Sequence, residues 1–144
     1  MCPWADVLYA MDRKWWQVMQ PVFHGECVSI AGNIIGVQKT RAPKGGNSGA
    51  GAMLLARHRG ASRIILLGYD CQYGRDGKRH WHGDHCKGLG NANSLPKFYG
   101  QFQEAAGMLA DVEVINASRE TALDLWPRMS LEEALDGEAR VCAA

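Results

Sequence analysis

The stretch 79–85 reads RHWHGDH and holds three of the five histidines in the chain, His80, His82 and His85. An imidazole titrates near neutral pH, so a histidine can bind a metal, move a proton or contact a phosphate. The stretch therefore indicates one of three things: a metal site, a loop that handles an anionic substrate, or a polar surface loop anchored by Trp81.

Cysteines lie close to these histidines and make zinc one alternative. Zinc binds to cysteine sulfur and histidine nitrogen, and the available ligands are Cys71, His80, His82, His85 and Cys86. No Cys-x-x-Cys pair is present, so the spacing is not that of a finger or a ribbon. We therefore favour the substrate loop over a zinc site and assign no metal ligands in it. His82 or His85 is then the general acid or base, and the cysteines are buried apolar residues.

The segment GGNSGAG at 45–51 precedes an apolar stretch and predicts a tight loop followed by a helix. Glycines let the backbone approach a ligand closely, and amides at a helix N-terminus bind phosphate or carboxylate. Asn47, Ser48 and Gly49 are therefore candidate ligand-binding residues. The segment is neither a P-loop nor a dinucleotide fingerprint, and the alternative is a glycine-rich helix start required only for packing.

Polar residues also follow several predicted strands. Asp12 and Asp70 each end an apolar run, and Asn116 and Ser118 end another. Ligands of open α/β sheets bind beyond the carboxyl ends of the strands, so these four residues join the candidate site. The aspartates can contact a ribose hydroxyl, cap a turn or jointly hold Mg²⁺.

Alternation of apolar runs and helical periodicity predicts the elements that position these residues. The clearest strand is the continuous apolar run 62–70, which is expected to be central in a parallel sheet. Serine at 130 followed by glutamate at 133 predicts a capping box. Strands are predicted at 5–12, 26–33, 62–70 and 112–118, with a short edge strand near 34–40. Helices are predicted from 13 to about 20, where Pro21 ends the first one, and at 50–58, 95–111 and 129–136. This order predicts one α/β domain over 1–144, with a mostly parallel sheet and helices on both faces.

Bulk properties exclude several classes of protein. The chain has 144 residues, 16 basic and 15 acidic side chains and a formal charge of +1, which argues against nucleic-acid binding driven by net charge. No apolar run is long enough to cross a membrane, and no secretory signal is visible. Five cysteines form no disulfide-like framework, so a reduced, cytoplasmic protein is expected.

Four motifs together resemble a family. ADVLYAMDRKWW, GGNSGAGAMLLARHRGASRIILLGYDCQ, HWHGDH and VEVINAS with TALDLWPRMSLEEAL are similar to small phage and prophage proteins labelled norphogenetic. These in turn resemble the Rossmann-like domain of motility accessory factors and 6-hydroxymethylpterin diphosphokinases, which is similar to the sialyltransferase-like fold. The resemblance spans roughly residues 5 to 135, and it implies a Rossmann-like fold in the cytoplasm of a phage host.

The resemblance implies a nucleotide or nucleotide-sugar site formed by Asp12, Asn47, Ser48, Gly49, Asp70, His80, His82 and His85. Asn116 and Ser118 are secondary candidates for the same site. Members of the group usually begin with a strand and a GGGPS-like turn, whereas this sequence starts at MCPWADVLYA. Three explanations are open: an internal start site, a naturally shortened chain, or a partner that supplies the strand. We therefore expect an exposed sheet edge, which favours a homo-oligomer and lowers the expected catalytic activity.

Two main hypotheses follow. In the first, the chain is a glycosyl- or diphospho-transferase-type enzyme: GGNSG holds the phosphates, His82 or His85 moves a proton, and Asp12 or Asp70 positions a hydroxyl or Mg²⁺. In the second, it is a binding or assembly protein that sequesters a phosphorylated small molecule without turnover. A zinc-stapled structural module is a third alternative.

Overall fold

The computed structural model describes residues 2, 4–74, 77, 85, 88–90 and 95–141, with the side chains of 137–141 excepted. Strands and helices alternate along these residues in the predicted order. The elements are β1 (Val7–Tyr9), α1 (Arg13–Met19), β2 (Glu26–Ser29), β3 (Gln38–Lys39), α2 (Ser48–His58), β4 (Arg63–Leu66), α3 (Leu95–Met108), β5 (Glu113–Asn116) and α4 (Leu131–Val141). The prediction of an α/β chain is confirmed.

All pairs between the described strands are parallel, but they form two ladders and not the single sheet that the sequence predicts. β1, β2 and β3 form one ladder in that order, and β4 pairs with β5 in the other. The prediction that the apolar run 62–70 lies centrally was therefore wrong for the described residues, where β4 has one neighbour. An apolar run indicates that a strand exists, but it does not specify the neighbours of that strand.

Helix α2 joins the two ladders through its buried face. Met53 and Leu54 pack in the larger core cluster with Leu66 of β4, whereas Leu55 packs in a smaller cluster with Val28 of β2. Each of these residues is almost completely buried. Burying an aliphatic side chain of this size stabilises the folded state by about 1.5–3 kcal/mol, so α2 contributes to the stability of both halves.

The helix ends follow from local chemistry. α1 ends at Gln20, whose backbone has a φ of 39° and whose N–H donates to the Trp16 carbonyl, and Pro21 follows. α4 begins with the predicted capping box, which is confirmed: Glu133 N–H donates to Ser130 Oγ at 3.1 Å, and Ser130 N–H donates to Glu133 Oε2 at 2.9 Å.

Among the described residues, no helix is both long enough and apolar enough to cross a membrane. The described cysteines, Cys2, Cys27 and Cys71, are free thiols. Cys71 is partly buried against the larger core cluster, and this burial raises the pKa of its thiol.

Candidate functional site

The first turn of α2 is organised by Asn47. Its side-chain Oδ1 accepts a hydrogen bond from Ala50 N–H at 2.9 Å, and its Nδ2 donates to Gln101 Oε1 at 3.0 Å. The helix begins at Ser48, two residues before the predicted start, because this cap satisfies an amide of the first turn. The Asn47 carboxamide therefore holds the helix end and ties it to α3.

Two amides of this turn remain available. The N–H groups of Ser48 and Gly49, the first two of α2, donate to no described residue. The hydroxyl of Ser48 accepts from Met11 N–H at 3.2 Å, and the carbonyl of Gly49 accepts from the Tyr69 hydroxyl at 3.2 Å. The first turn of α2 is thus fixed between the end of β1 and the segment after β4, with two donors free at its positive end.

The glycines before and within this turn are required by packing. A Cβ at Gly45 would lie 2.2 Å from Gly51 N, and a Cβ at Gly49 would lie 3.1 Å from the Phe102 ring. Gly46 has a φ of +76°, in the left-handed region that favours glycine. Packing therefore accounts for the glycine pattern, and the free amides at Ser48 and Gly49 are a separate observation.

A cavity of about 740 Å³ opens beside the free amides. Its size falls within the range of small-molecule sites. Its wall includes the start of α2, the end of β1 and part of α1, together with residues 85, 89, 90 and 98. The lining residues are Leu8, Tyr9, Ala10, Met11, Asp12, Lys14, Trp15, Gly46, Asn47, Ser48, Gly49, His85, Leu89, Gly90 and Phe98.

Asp12 and Lys14 bring opposite charges to this cavity. Asp12 is at the N-cap position of α1, yet its carboxylate makes no capping hydrogen bond and the residue is exposed. Burial, and secondarily the Asp12 carboxylate, raise the pKa of Tyr9. Asp12 follows a predicted strand and is a candidate from its position, whereas Lys14 carries no such signal, because a lysine in an amphipathic helix is usually solvated.

The tryptophan pair of α1 has two different roles. Trp16 is buried and its indole N–H donates to the Ala10 carbonyl at 3.0 Å, which fixes α1 against the end of β1. Trp15 is partly exposed on the cavity wall, with its ring edge-on to Trp16 at a centroid distance of 5.1 Å. The sequence favours a core position for both tryptophans, with stacking on a base as the alternative. The structure places Trp16 in the core and Trp15 on the cavity wall.

Of the three histidines in the stretch 79–85, the structure describes His85. His85 is partly buried and lines the cavity with Leu89 and Gly90. His80 and His82 lie outside the described residues, so their predicted roles as substrate-binding and catalytic groups stay predictions. Among the described residues, no group of three His, Cys, Asp or Glu side chains is arranged to hold a metal ion.

The remaining predicted residues lie near a second cavity. Asp70 and Ser118 line this space of about 930 Å³, together with Arg128 and the start of α4. Asp12 and Asp70 therefore face different cavities and are not brought together as a Mg²⁺ pair. These contacts do not test the catalytic role of Asp70, which stays a prediction.

Asn116 and Ser118 are buried and hold the chain after β5. Asn116 Nδ2 donates to the Leu123 carbonyl at 3.0 Å, and its Oδ1 accepts from Ser118 N–H at 3.1 Å. Ser118 Oγ accepts from Tyr69 N–H at 2.8 Å. These bonds connect the ends of β4 and β5, which is a structural role; a role in ligand binding stays a prediction.

No protein-family model, curated protein sequence or solved structure matches the chain. The chemistry of the cavity beside α2 is therefore the basis on which a function is argued.

Proposed function

We propose that the cavity beside α2 binds a nucleotide or a nucleotide sugar, with a phosphate on the free amides of Ser48 and Gly49. The observation that carries the proposal is that these two N–H groups lie at the wall of a cavity of about 740 Å³ without a described partner. Backbone amides at the positive end of an 11-residue helix favour a bound anion.

The charged side chains on the wall suit different parts of such a ligand. Lys14 carries a positive charge that would offset the phosphate. The carboxylate of Asp12 would repel a phosphate directly, but it accepts hydrogen bonds from hydroxyl groups and is a ligand that Mg²⁺ prefers. We place the sugar hydroxyls, or a Mg²⁺ ion bound with the phosphates, beside Asp12.

The apolar part of the wall suits a base. Trp15 and Phe98 both line the cavity, and a base gains about 1–3 kcal/mol by stacking on an aromatic side chain. Trp15 is held in position by its contact with the buried Trp16. A phosphorylated ligand without a base would leave these rings unused, which favours nucleotides over smaller phosphates.

Glycosyl or diphosphoryl transfer is the enzymatic form of the proposal. It is supported by His85, an imidazole on the same cavity wall as the proposed phosphate site. Binding without turnover is the non-enzymatic form. Formation of product from a bound nucleotide sugar or nucleoside triphosphate, measured over time, separates the two.

The proposal also includes a Rossmann-like arrangement of the sheet and a cytoplasmic location in a phage host. The alternating order of parallel strands and helices supports the first. The second follows from the resemblance and from the absence of a disulfide among the described cysteines.

The test is binding of nucleotides and nucleotide sugars, measured by calorimetry and by quenching of tryptophan fluorescence. Lys14→Gln should weaken binding by about tenfold, since it removes one charged contact. Lys39→Gln is the matched control, because Lys39 is exposed on β3 and does not line the cavity. Trp15→Phe should remove the fluorescence change, and Trp4→Phe should not.

Binding by no ligand of the panel would overturn the proposal. Equal affinities for Lys14→Gln, Lys39→Gln and the unchanged chain would overturn the assignment of this cavity.

A further inference from the structure

Among the described residues, β1 and β4 belong to different ladders, and each has one edge along which it pairs with no other strand. In a parallel pair, alternate residues of a strand direct their backbone groups to the same neighbour. The Asp6 carbonyl accepts from Glu26 N–H, and Ala10 N–H donates to the Val28 carbonyl. The backbone groups of Val7 and Tyr9 therefore point away from β2.

The same reasoning applies to β4. The carbonyls of Ser62 and Leu66 accept from the N–H groups of Glu113 and Ala117 in and after β5. The backbone groups of Ile65 therefore point away from β5. Within the described part of the chain, neither β1 nor β4 pairs with another strand along these edges.

Helix α2 contacts both strands near their carboxyl ends. Its side chains pack on both ladders, and its first turn contacts both strand ends, through Met11 N–H to Ser48 and through the Tyr69 hydroxyl to Gly49. The carboxyl ends of β1 and β4 therefore lie at the same end of α2. The two strands run in the same direction, with α2 returning between them.

Space is available along the edge of β1. The cavity beside α2 touches the consecutive residues from Leu8 to Met11. Of these, Leu8 and Tyr9 belong to β1. Successive side chains of a strand point to opposite faces, so a cavity that touches both residues reaches the edge of the strand and not one face alone. The other edge is occupied by β2, which places this space on the open side of β1.

The apolar side chains of both strands are incompletely buried. Val7 and Leu8 of β1, and Ile64 and Ile65 of β4, are all of intermediate exposure. Strands of parallel sheets are normally buried on both faces, and a central strand also has a neighbour at each edge. This partial exposure is what two strands would show when the strand between them is absent.

We propose that an extended segment of a partner polypeptide inserts between β1 and β4, parallel to both. It would join the two ladders into one sheet in the order β3, β2, β1, partner, β4, β5. Such a segment must hydrogen-bond on both sides, so it contains no proline, and its side chains must be apolar or β-branched on both faces.

A second copy of the chain is a poor occupant. Insertion between two edges requires a strand that is free on both sides, and every described strand already has a neighbour. The nucleotide and the inserted segment would both contact the cavity beside α2, but at different residues: the segment lies along Leu8 and Tyr9, whereas the phosphate site is at Ser48 and Gly49 beyond the strand end. Amide exchange reports on the strand edges and calorimetry on the nucleotide, so failure of one proposal is distinguishable from failure of the other.

Amide hydrogen exchange, measured residue by residue by NMR on the full chain, tests the edges. In the isolated protein the N–H groups of Tyr9 and Ile65 should exchange much faster than those of Ala10 and Leu66. Slow exchange at both Tyr9 and Ile65 in dilute protein would show that these edges are already covered, and would overturn the proposal. Protection that grows with protein concentration would instead indicate a second copy, and would also overturn it.

A displayed library of random linear peptides of about seven residues, enough to cover a typical strand, supplies the probe. Selected peptides should lack proline and be rich in β-branched residues. One synthetic peptide from the selection should slow exchange at both Tyr9 and Ile65 by at least about tenfold, the factor expected for a site more than nine-tenths occupied. Protection at one edge only, or no selected peptide, would contradict insertion.

A pair of variants at Ile65 provides the specificity control. Ile65→Pro removes the outward N–H and no ladder bond to β5, so it should abolish peptide binding, while Ile65→Val should retain it. Full binding by a folded Ile65→Pro protein would overturn the proposal. If that variant does not fold, the exchange measurement on the unchanged chain still decides.

Discussion

The hydroxyl of Tyr69 donates to the carbonyl of Gly49 across 3.2 Å, and so connects the segment after β4 to the first turn of α2. The Tyr69 ring packs edge-on against Phe102 at a centroid distance of 5.8 Å. Burial raises the pKa of Tyr69 to about 12. The neutral phenol is therefore part of the folded structure, and its ionisation opposes folding.

This linkage predicts a loss of stability at high pH. A folded-state pKa above the unfolded value of 10.0 gives stability that is complete below pH 10 and is lost as the pH rises towards about 12. At about pH 11 the loss from this residue is about 1.4 kcal/mol. Tyr69→Phe should be about 1 kcal/mol less stable than the unchanged chain near neutral pH.

That difference should disappear by about pH 11, because phenylalanine does not ionise. Urea unfolding of both proteins at several pH values measures it. A constant difference across the range would show that the Tyr69 phenol does not titrate in this way.

Two helix glycines should respond in opposite directions to alanine. A Cβ added at Gly100 of α3 would enter open space, so Gly100→Ala should stabilise the protein by about 1 kcal/mol through helix propensity. A Cβ at Gly51 of α2 would lie 2.6 Å from the Tyr9 hydroxyl, so Gly51→Ala should destabilise by about 1–3 kcal/mol. Thermal unfolding of the two variants provides the comparison, and stabilisation by both would contradict the close contact with Tyr9.

The cap at Asn47 separates helix stability from ligand binding. Asn47→Ala removes the acceptor for Ala50 N–H and should cost about 1–2 kcal/mol. Asn47→Asp keeps an acceptor at that position and should recover most of the loss, although the bond to Gln101 is altered. Equal losses in both variants, measured by denaturant unfolding, would show that the Gln101 contact and not the cap provides the stability.

Asn116 lies at the carboxyl end of a strand, a position that predicts a ligand-binding residue. Its contacts predict that replacing it lowers the stability of the folded protein. It is completely buried, and its side chain bonds to Leu123 and Ser118. Asn116→Ala should destabilise by about 2–4 kcal/mol because buried backbone groups lose their partners. Gln103→Ala, at an exposed position of α3, is the control and should change the stability by less than about 0.5 kcal/mol. Denaturant unfolding of both variants measures the two effects, and a loss at Asn116 as small as that of the control would contradict the structural role.

The sequence predicts the order of the elements well, because short apolar runs and helical spacing are local properties. It also identifies the region around 45–49 as a helix start. It does not predict that the strands divide into two ladders, since pairing depends on contacts between residues far apart in the chain. For the same reason Asp12 and Asp70 look equivalent in the sequence, whereas the structure places them at different cavities.

Several cavity residues have ordinary surroundings in the sequence. Lys14 and Trp15 lie in an amphipathic helix, and Tyr9 and Phe98 lie in apolar runs. Their common property is that they face one space, which only the packing of α1, α2 and α3 creates. The adjacent pair Trp15 and Trp16 gives one signal, because neighbouring residues of a helix point about 100° apart and differ in burial when one of them is at the centre of the apolar face.

The shared helix α2 has a consequence for how the chain folds. Because Leu55 belongs to one core and Leu54 to the other, neither ladder can lose its contacts with α2 without weakening the other. The two halves should therefore melt in one cooperative transition, although no backbone hydrogen bond of the described strands crosses between them. The two ladders are coupled through α2, because each needs the helix to complete its core. The chain becomes a single folding unit when α2 has packed against both ladders.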